Sequence, residues 1–412
     1  DFATAKSAVC YARMGASTQS FGTLCQWANN ALNIITGNLD SPGGAMFTTP
    51  ALDNVGMNSR KGKRRSYPER RSRVSRQPLY NGEFLVSVMA EEMETPGEGQ
   101  IKAMITVAGN PVLTAPNGQR IGRAFEALDF MMSIDLHIND TTRHADLILP
   151  ATVALEEHVY DMVFHSLAVR NTAAFAEPVF TPPNDNPQEW EVIARRAARL
   201  SGSNSIGPSP VETLTALLPR GYHGDRVTTD AMLGAETGAS DRGPLVESLA
   251  DRLETPDGKL DLAPEVFLAD LPRLLAFEPP VSDDYPLLMI GRRQVRSHNS
   301  WTQNSQRLVK GRNRCTVQMH PADANRLSIE DGMDVAVLSR VGQVTMPAEV
   351  TDEIAPGVVS IPQGWGQRQG KLTTATRVQT ISINDLTDDT RIDPISGNAA
   401  FNGVPVAVKA IA

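Results

Sequence analysis

The chain has 412 residues and carries 39 Lys and Arg against 47 Asp and Glu, a formal net charge of -8. With 41% hydrophobic and 21% charged residues it reads as an ordinary globular protein of two or three domains, at roughly 150 residues each. The acidic balance argues against a duplex-binding surface, the 5% of aromatics against a base-stacking platform, and no apolar run reaches the ~18 residues that span a membrane.

Cys10, Cys25 and Cys315 are an odd and scattered set. They make no disulfide framework and fall short of the four thiolates that usually hold an iron–sulfur cluster. Free thiols are expected, which fits a reducing compartment and a cytoplasmic location. The opening DFATAKSAV reads as the middle of a folded region, so a fragment, or a chain whose natural start lies upstream, is expected.

Leu24, Trp27, Ala28, Ala31, Leu32 and Ile35 make one apolar helical face, with Gly37 where a left-handed C-cap is expected. The Gly/Pro-rich LDSPGGAMFTTP follows, either an ordinary connector or a loop that passes close to a ligand. Residues 60–76 carry nine Lys and Arg. Such a run is a solvated loop or lies beside an anionic ligand or acidic partner.

Residues 99–200 alternate strand and helix. KAMITV, FMMSID and ADLIL are short apolar strands, AGNP is a turn, and Gln119–Leu128 is a helix. That rhythm predicts a parallel, doubly wound sheet. Asn186 reads as an N-cap with Pro187 at the first helical position and Glu189 three residues on. SGSNSIGPSP is linker-like, LETPDGKLDL resembles a hairpin around Pro256-Asp257-Gly258, and LAFEPPVSDDYP reads as a hinge. From Leu287 the period becomes that of strands: LLMIG, CTVQM, MDVAVLS, QVTMPAEV, GVVSIP and VPVAVKAI, with one short helix over Ala322–Leu327 behind Pro321. Many short strands with such turns predict a closed barrel.

The common nucleotide-loop, nucleophile-elbow and zinc-helix signatures are absent. Glu156-Glu157-His158 are three adjacent residues, which cannot all face one ion on a regular element, and no Cys/His set has zinc spacing. No catalytic residue and no metal ligand is identified in the chain. Ligand-handling positions do stand out. Asp135 and Asn110 end neighbouring apolar strands, where open α/β sheets bind ligands. A carboxylate there accepts two hydrogen bonds from a guanine edge or a ribose, or it serves as a turn or cap residue. The strongest local signal is GRRQVRSHNSW, Gly291–Trp301. Its arginine forks suit phosphate oxygens, and hydroxyl, amide, His and Trp groups are interleaved with them. The alternative is a charged surface loop.

Several ordered blocks carry a family resemblance: RMGASTQSFGTLCQWANNALNIITGNLDSPGGAMF, AGNPVLTAPN, DLHINDTTRHADLILPATVALEEH, IGRRQVRSHNSW, HPADANRLSIEDGMDVAVLSR, PGVVSIPQGWG and INDLTDDTRIDPISGNAAFNGVPVAV. Over nearly its whole length the chain resembles the C-terminal part of molybdopterin-dependent oxidoreductases of the dimethyl-sulfoxide-reductase type, which include formate dehydrogenases and nitrate reductases.

The resemblance implies that residues 1–98 end one α/β domain and that residues 99–235 form a second α/β region. It implies a linker at 236–280 and a double-psi-type β-barrel at 281–412, the α/β and barrel regions all binding molybdopterin. In that family two molybdopterin guanine dinucleotides (bis-MGD) grip one Mo or W ion. Carried over position by position, the cofactor contacts are Met14, Gln19 (one residue later than the family's glutamine), Asn110 and Asp135. The barrel adds Gly291, Arg292, Arg293, Arg296, Ser297, His298, Asn299, Ser300, Trp301, Asn384 and Asn402. The chain departs from some relatives at Glu157 and Gln188, where a lysine and an aspartate contact cofactor. The family's metal ligand and [4Fe–4S] cysteines lie upstream of the matching part.

The implied activity is two-electron oxidation or reduction of a small-molecule substrate, formate among the options, with an electron-transfer subunit as partner. The competing implication is a non-catalytic scaffold that keeps this fold without the metal.

Overall fold

The computed structural model describes residues 1–53, 70–79, 83–183, 186–236, 238–378 and 380–411. Most of the basic run lies outside the described residues. At its end, Arg73 donates to the carbonyls of Thr95 and Glu92.

The chain divides into two compact units, one of Asp1–Tyr11, Ala28–Ser66 and Pro150–Leu262, the other of Ala12–Trp27, Tyr67–Leu149 and Ala263–Ala412. Residues 99–235 are therefore shared between the units, with the break at 149/150. Among the described residues six strands precede the barrel: β1 Ala103–Val107, β2 Phe130–Ile134, β3 Leu147–Leu149, β4 Val159–Tyr160, β5 Arg170–Ala176 and β6 Ala239–Pro244.

In the first unit β4, β5 and β6 form an antiparallel sheet in that order. Leu52, Ala173, Phe175, Leu214, Leu218, Val227 and Met232 make its core. Residues 236–280, expected as a linker, include β6 and three short helices. The expected hairpin is corrected: Gly258 closes a turn onto Thr255, but the flanks form no strands. The helix expected from Asn186 is corrected as well. It spans Glu189–Leu200 with Gln188 as N-cap, because Asn186 is held in a turn by its N–H bond to the Pro183 carbonyl.

In the second unit β1, β2 and β3 pair in parallel and in order. Helices Met89–Glu94 and Gly118–Glu126 cover one face through Ala90, Met93, Ile121, Ala124 and Phe125, packed on Met131. The barrel closes in the order β10-β8-β11-β7-β12-β9. Its strands are β7 Leu287–Arg292, β8 Val317–Met319, β9 Asp334–Leu338, β10 Gln343–Val350, β11 Val358–Pro362 and β12 Val404–Ala410. Alternate residues point inward, so Leu287, Met289, Val317, Met319, Val335, Val337, Val359, Ile361 and Val406 fill the core with no exposure.

The barrel is tied to the sheet layer by the strap 384–389. Asn384 Nδ2 donates to the Leu113 carbonyl at 2.6 Å. Asp389 accepts from Asn117 and from Arg120, whose other partner is Glu94. Asp388 turns the opposite way and accepts both branches of Arg340 on the barrel at 2.6 Å each.

Burial works to raise the Asp388 carboxyl, but the bonds from Arg340 and Thr390 outweigh it and hold the group below its ordinary value. A lowered carboxyl contributes stability that is present above the ordinary carboxylate range and is lost as pH falls through the lowered value. Arg340 is 61% exposed, so solvent screening reduces the contribution. We expect Asp388→Asn to cost about 1 kcal/mol near neutral pH, with the difference closing as the solution is acidified below the carboxylate range. Denaturant unfolding of both proteins at the two pH values checks this.

Candidate functional site

The parallel register Val107↔Ile134 places the ends of β1 and β2 side by side. Ala108 N–H donates to the Ile134 carbonyl and Asp135 N–H to the Leu149 carbonyl, so Asn110 and Asp135 both stand at the carboxyl edge of this sheet. The turn that follows holds them. Asp135 Oδ1 accepts the His137 N–H at 3.0 Å, and Oδ2 accepts Asn139 Nδ2 at 3.1 Å. Asn139 Oδ1 in turn accepts the N–H groups of Thr141 and Thr142 at 2.9 and 3.0 Å. Thr141 Oγ1 accepts the Val112 N–H at 3.0 Å and donates to Asn110 Oδ1 at 2.6 Å. Asn110 Nδ2 is shielded from solvent and has no partner among the described residues. Asp135 is thus a turn residue, bonding the backbone two residues on, and still keeps lone pairs free.

The second group of candidates sits at the barrel. Strand β7 runs to Arg292, so the loop itself begins at Arg293. Arg292 is spent inside the barrel wall. Its guanidinium donates to the Ser360 carbonyl and to the carbonyl and hydroxyl of Thr316, with Glu349 at 3.9 Å. Burial pulls its pKa below the ordinary value against the pull of Glu349.

Arg293 is exposed and makes one bond, to Gln363 Oε1 at 3.2 Å. Arg296 reaches only the Lys310 carbonyl among the described residues, at 3.4 Å. Ser297 is buried and donates to the carbonyls of Gln294 and Gln363. His298 and Asn299 are exposed and both left-handed, with φ of 40° and 57°. Two consecutive non-glycine residues in that region carry backbone strain of about 1–2 kcal/mol each. Trp301, 75% exposed, meets the His298 ring edge-on at 5.7 Å.

Segment 363–371 carries this strain. The Asn299 carbonyl lies where a Cβ on Gly364 would come within 1.7 Å of it, and Gly364 has φ +82°. Gln367 Nε2 reaches the Ser300 carbonyl at 3.5 Å. The same segment then crosses to the sheet-edge turn. The N–H groups of Arg368 and Gln369 donate to Asp140 at 3.0 and 3.1 Å, and Lys371 N–H donates to the Ile138 carbonyl at 2.7 Å. Burial raises the Asp140 carboxyl above its ordinary value, against those two N–H bonds and the Arg368 charge.

The remaining candidates divide. Asn402 Oδ1 accepts the Gly291 N–H at 2.9 Å while Nδ2 donates to Thr18, which brackets the Met14–Ser17 helix to the base of the loop. Asn384 is buried, with its amide used by Leu113 and Thr387. Gln19 is used at both ends, by Phe21 N–H and by Ala16 and Cys25. Met14 is 60% exposed.

The structure therefore ties the segment that carries Met14 and Gln19 to the base of the 291–301 loop through Thr18 and Asn402, and links Asn110 to Asp135 through Thr141 and Asn139. The 363–371 segment joins the two groups. Sequence reasoning missed Asn139, Thr141, Gln363 and Gly364. Their signal was the run of turn formers in NDTT and the paired glycines of QGWG.

His158 stacks on Phe175, Glu156 accepts from Val153 N–H, and Glu157 accepts from Thr152. Among the described residues no group of three or more His, Cys, Asp or Glu could hold a metal ion. Cys10, Cys25 and Cys315 are free, and burial pushes the Cys315 thiol up to about 11. No helix among the described residues is long and apolar enough to cross a membrane.

Two family models match the chain. The model described as "Molybdopterin oxidoreductase" covers residues 2–198, and the model described as "Molydopterin dinucleotide binding domain" covers residues 287–405. The F420-dependent formate dehydrogenase subunit alpha of Methanocaldococcus jannaschii is 25% identical over 66% of this chain and 40% of its own length. The assimilatory nitrate reductase catalytic subunit of Bacillus subtilis is 24% identical over 77% of this chain and 43% of its own length. Among solved structures, acetylene hydratase from Pelobacter acetylenicus matches with a TM-score of 0.63 at 18% identity, over 80% of this chain and 47% of that one. The chain thus spans less than half the length of these relatives.

Gly364→Ala puts a Cβ into the Asn299 carbonyl and a side chain at positive φ. We expect a loss of at least ~2 kcal/mol and faster amide exchange confined to residues 291–301. Exchange mass spectrometry on the folded variant checks this.

Proposed function

The chain belongs to the molybdopterin oxidoreductase family, and on that premise we propose that it grips molybdopterin guanine dinucleotide within a molybdenum or tungsten oxidoreductase. The observation that carries this reading is the polar edge of the parallel sheet. Asn110 Nδ2 is buried without a partner, and Asp135 keeps lone pairs free beyond those used by His137 and Asn139. A guanine edge offers a carboxylate two N–H donors, and an orphaned amide N–H suits an oxygen of ribose or phosphate. At the barrel, Arg293 and Arg296 have forks free for phosphate, and His298, Asn299 and Trp301 of the same loop are exposed, as is Met14. These residues fit the group.

When bound, such a cofactor supplies the metal-centred two-electron chemistry. The chain's own part is to bind and orient. Gln19, Arg292, Ser297, Asn384 and Asn402 act as supports that fix the contact residues, and Ser300 lends its carbonyl to Gln367.

A second dinucleotide, the metal ligand, a [4Fe–4S] cluster and an electron-transfer subunit belong, on this reading, to the rest of a longer protein. Within this chain, residues 1–98, 99–235 and 281–412 are, on the same reading, the cofactor-binding regions. Formate is the substrate favoured among the small molecules named for the relatives. A scaffold without metal is the second reading, because the bonds of Arg292, Asn384 and Asn402 within the fold would serve it equally.

The test is GMP released by acid from protein purified from a host that makes the dinucleotide. Asp135→Asn keeps the shape but turns an acceptor into a donor, and should lower GMP per protein. Arg293→Ala with Arg296→Ala should do the same, each lost charge-assisted bond being worth roughly 1.5–3 kcal/mol. Arg292→Ala should instead reduce barrel stability. No GMP in the wild-type protein, or wild-type GMP in the first two variants, sinks the reading.

A further inference from the structure

Thr141 is fully buried and its hydroxyl has two neighbours. One is the Val112 N–H, which can only donate. The hydroxyl carries one proton, so that proton must go to the other neighbour, the Asn110 carboxamide at 2.6 Å. The atom it meets there must be an acceptor. If the amide were turned over, Nδ2 would donate to the same oxygen, and a buried hydroxyl proton would be left with no acceptor in that pair. The hydroxyl therefore decides which way the Asn110 amide faces.

We infer that Thr141 is a positioning residue that locks Asn110 with Oδ1 inward and Nδ2 facing away as a hydrogen-bond donor to an oxygen of a guanosine phosphate. This rests on the dinucleotide reading and adds the polarity of the sheet edge to it. The same turn fixes the other half. Thr141 N–H donates to Asn139 Oδ1, which commits Asn139 Nδ2 to Asp135 Oδ2. Donor at Asn110 and acceptor at Asp135 are thus set by one buried turn. A ligand with phosphate or ribose oxygens beside a purine N–H edge matches that pair.

The experiment is titration of the chain with GDP, whose guanosine and pyrophosphate reproduce that half of the dinucleotide. Asn110→Ala should weaken GDP binding about tenfold. Thr141→Val, nearly isosteric without the hydroxyl, should weaken it similarly, and Thr141→Ser should restore it. The double variant should bind no worse than Asn110→Ala alone, because Thr141 acts through Asn110. Full additivity would make Thr141 a merely structural residue and overturn the inference, as would wild-type affinity in Thr141→Val. Thr141→Ala replaces the valine variant if that one fails to fold. Absence of GDP binding by the wild-type chain would overturn the dinucleotide reading itself.

Discussion

Two backbone N–H groups, those of Arg368 and Gln369, end on the carboxylate of Asp140. The rest of the candidate site depends on this pairing. Asp140 belongs to the turn that carries Asn139 and Thr141, and Arg368 to the segment whose Gly364 supports the Asn299 carbonyl. One buried acid therefore sets the position of the sheet edge against the barrel loop. The strap 384–389 repeats the device a short way on, with Asp388 directed to the barrel and Asp389 to the helix Gly118–Glu126. Neighbouring acids that face opposite ways make a stiff joint, since neither bond can relax without loading the other.

The polar residues of the site divide by whether their hydrogen bonds are already spent. Arg292 and Arg293 are adjacent, yet one is fixed to two barrel carbonyls and the other is exposed. The difference comes from the strand. Arg292 is the last residue of β7, paired with Pro362, so the pleat dictates where its side chain goes. Arg293 is the first residue released from that constraint. The amide of Asn402 is likewise spent, holding the Thr18 segment and the base of the loop in one bracket. Such supports keep contact residues within the small tolerances that binding demands.

Much of this was legible in the amino-acid sequence because it repeats. The six barrel strands announce themselves by alternation, and the observed β7 to β12 fall on the runs LLMIG, CTVQM, MDVAVLS, QVTMPAEV, GVVSIP and VPVAVKAI. Asn110 and Asp135 were readable because apolar strands end at a definite edge. What escaped was aperiodic. Asn139, Thr141 and Gln363 act through single bonds between a side chain and a distant or turned backbone, which leave no period to detect. The strand end at Arg292 was missed for a related reason: Gly and Arg break the apolar run although backbone pairing continues through Pro362. At Asn186, proline and cap signals were present, but a turn onto Pro183 used the residue first.

The net charge of -8 is at odds with the proposed anionic ligand until the acids are followed individually. Asp385, Asp388 and Asp389 are buried, and each is matched by an arginine: Arg368, Arg340 and Arg120. Asp393 is buried beside Thr23, with Arg273 at 4.0 Å. An acid bonded to an arginine presents little net field beyond the pair, and salt screens the remainder over about 10 Å. The potential at the loop is therefore set by the cations nearest to it that lack a carboxylate partner among the described residues. Arg293 and Arg296 are two of these, with bonds to a side-chain amide and a backbone carbonyl, and Lys310, whose carbonyl accepts from Arg296, is a third. Overall acidity and a local excess of cations at the loop are compatible because Asp385, Asp388 and Asp389 are each matched by an arginine in the joint between barrel and sheet, whereas Arg293 and Arg296 bond no carboxylate among the described residues.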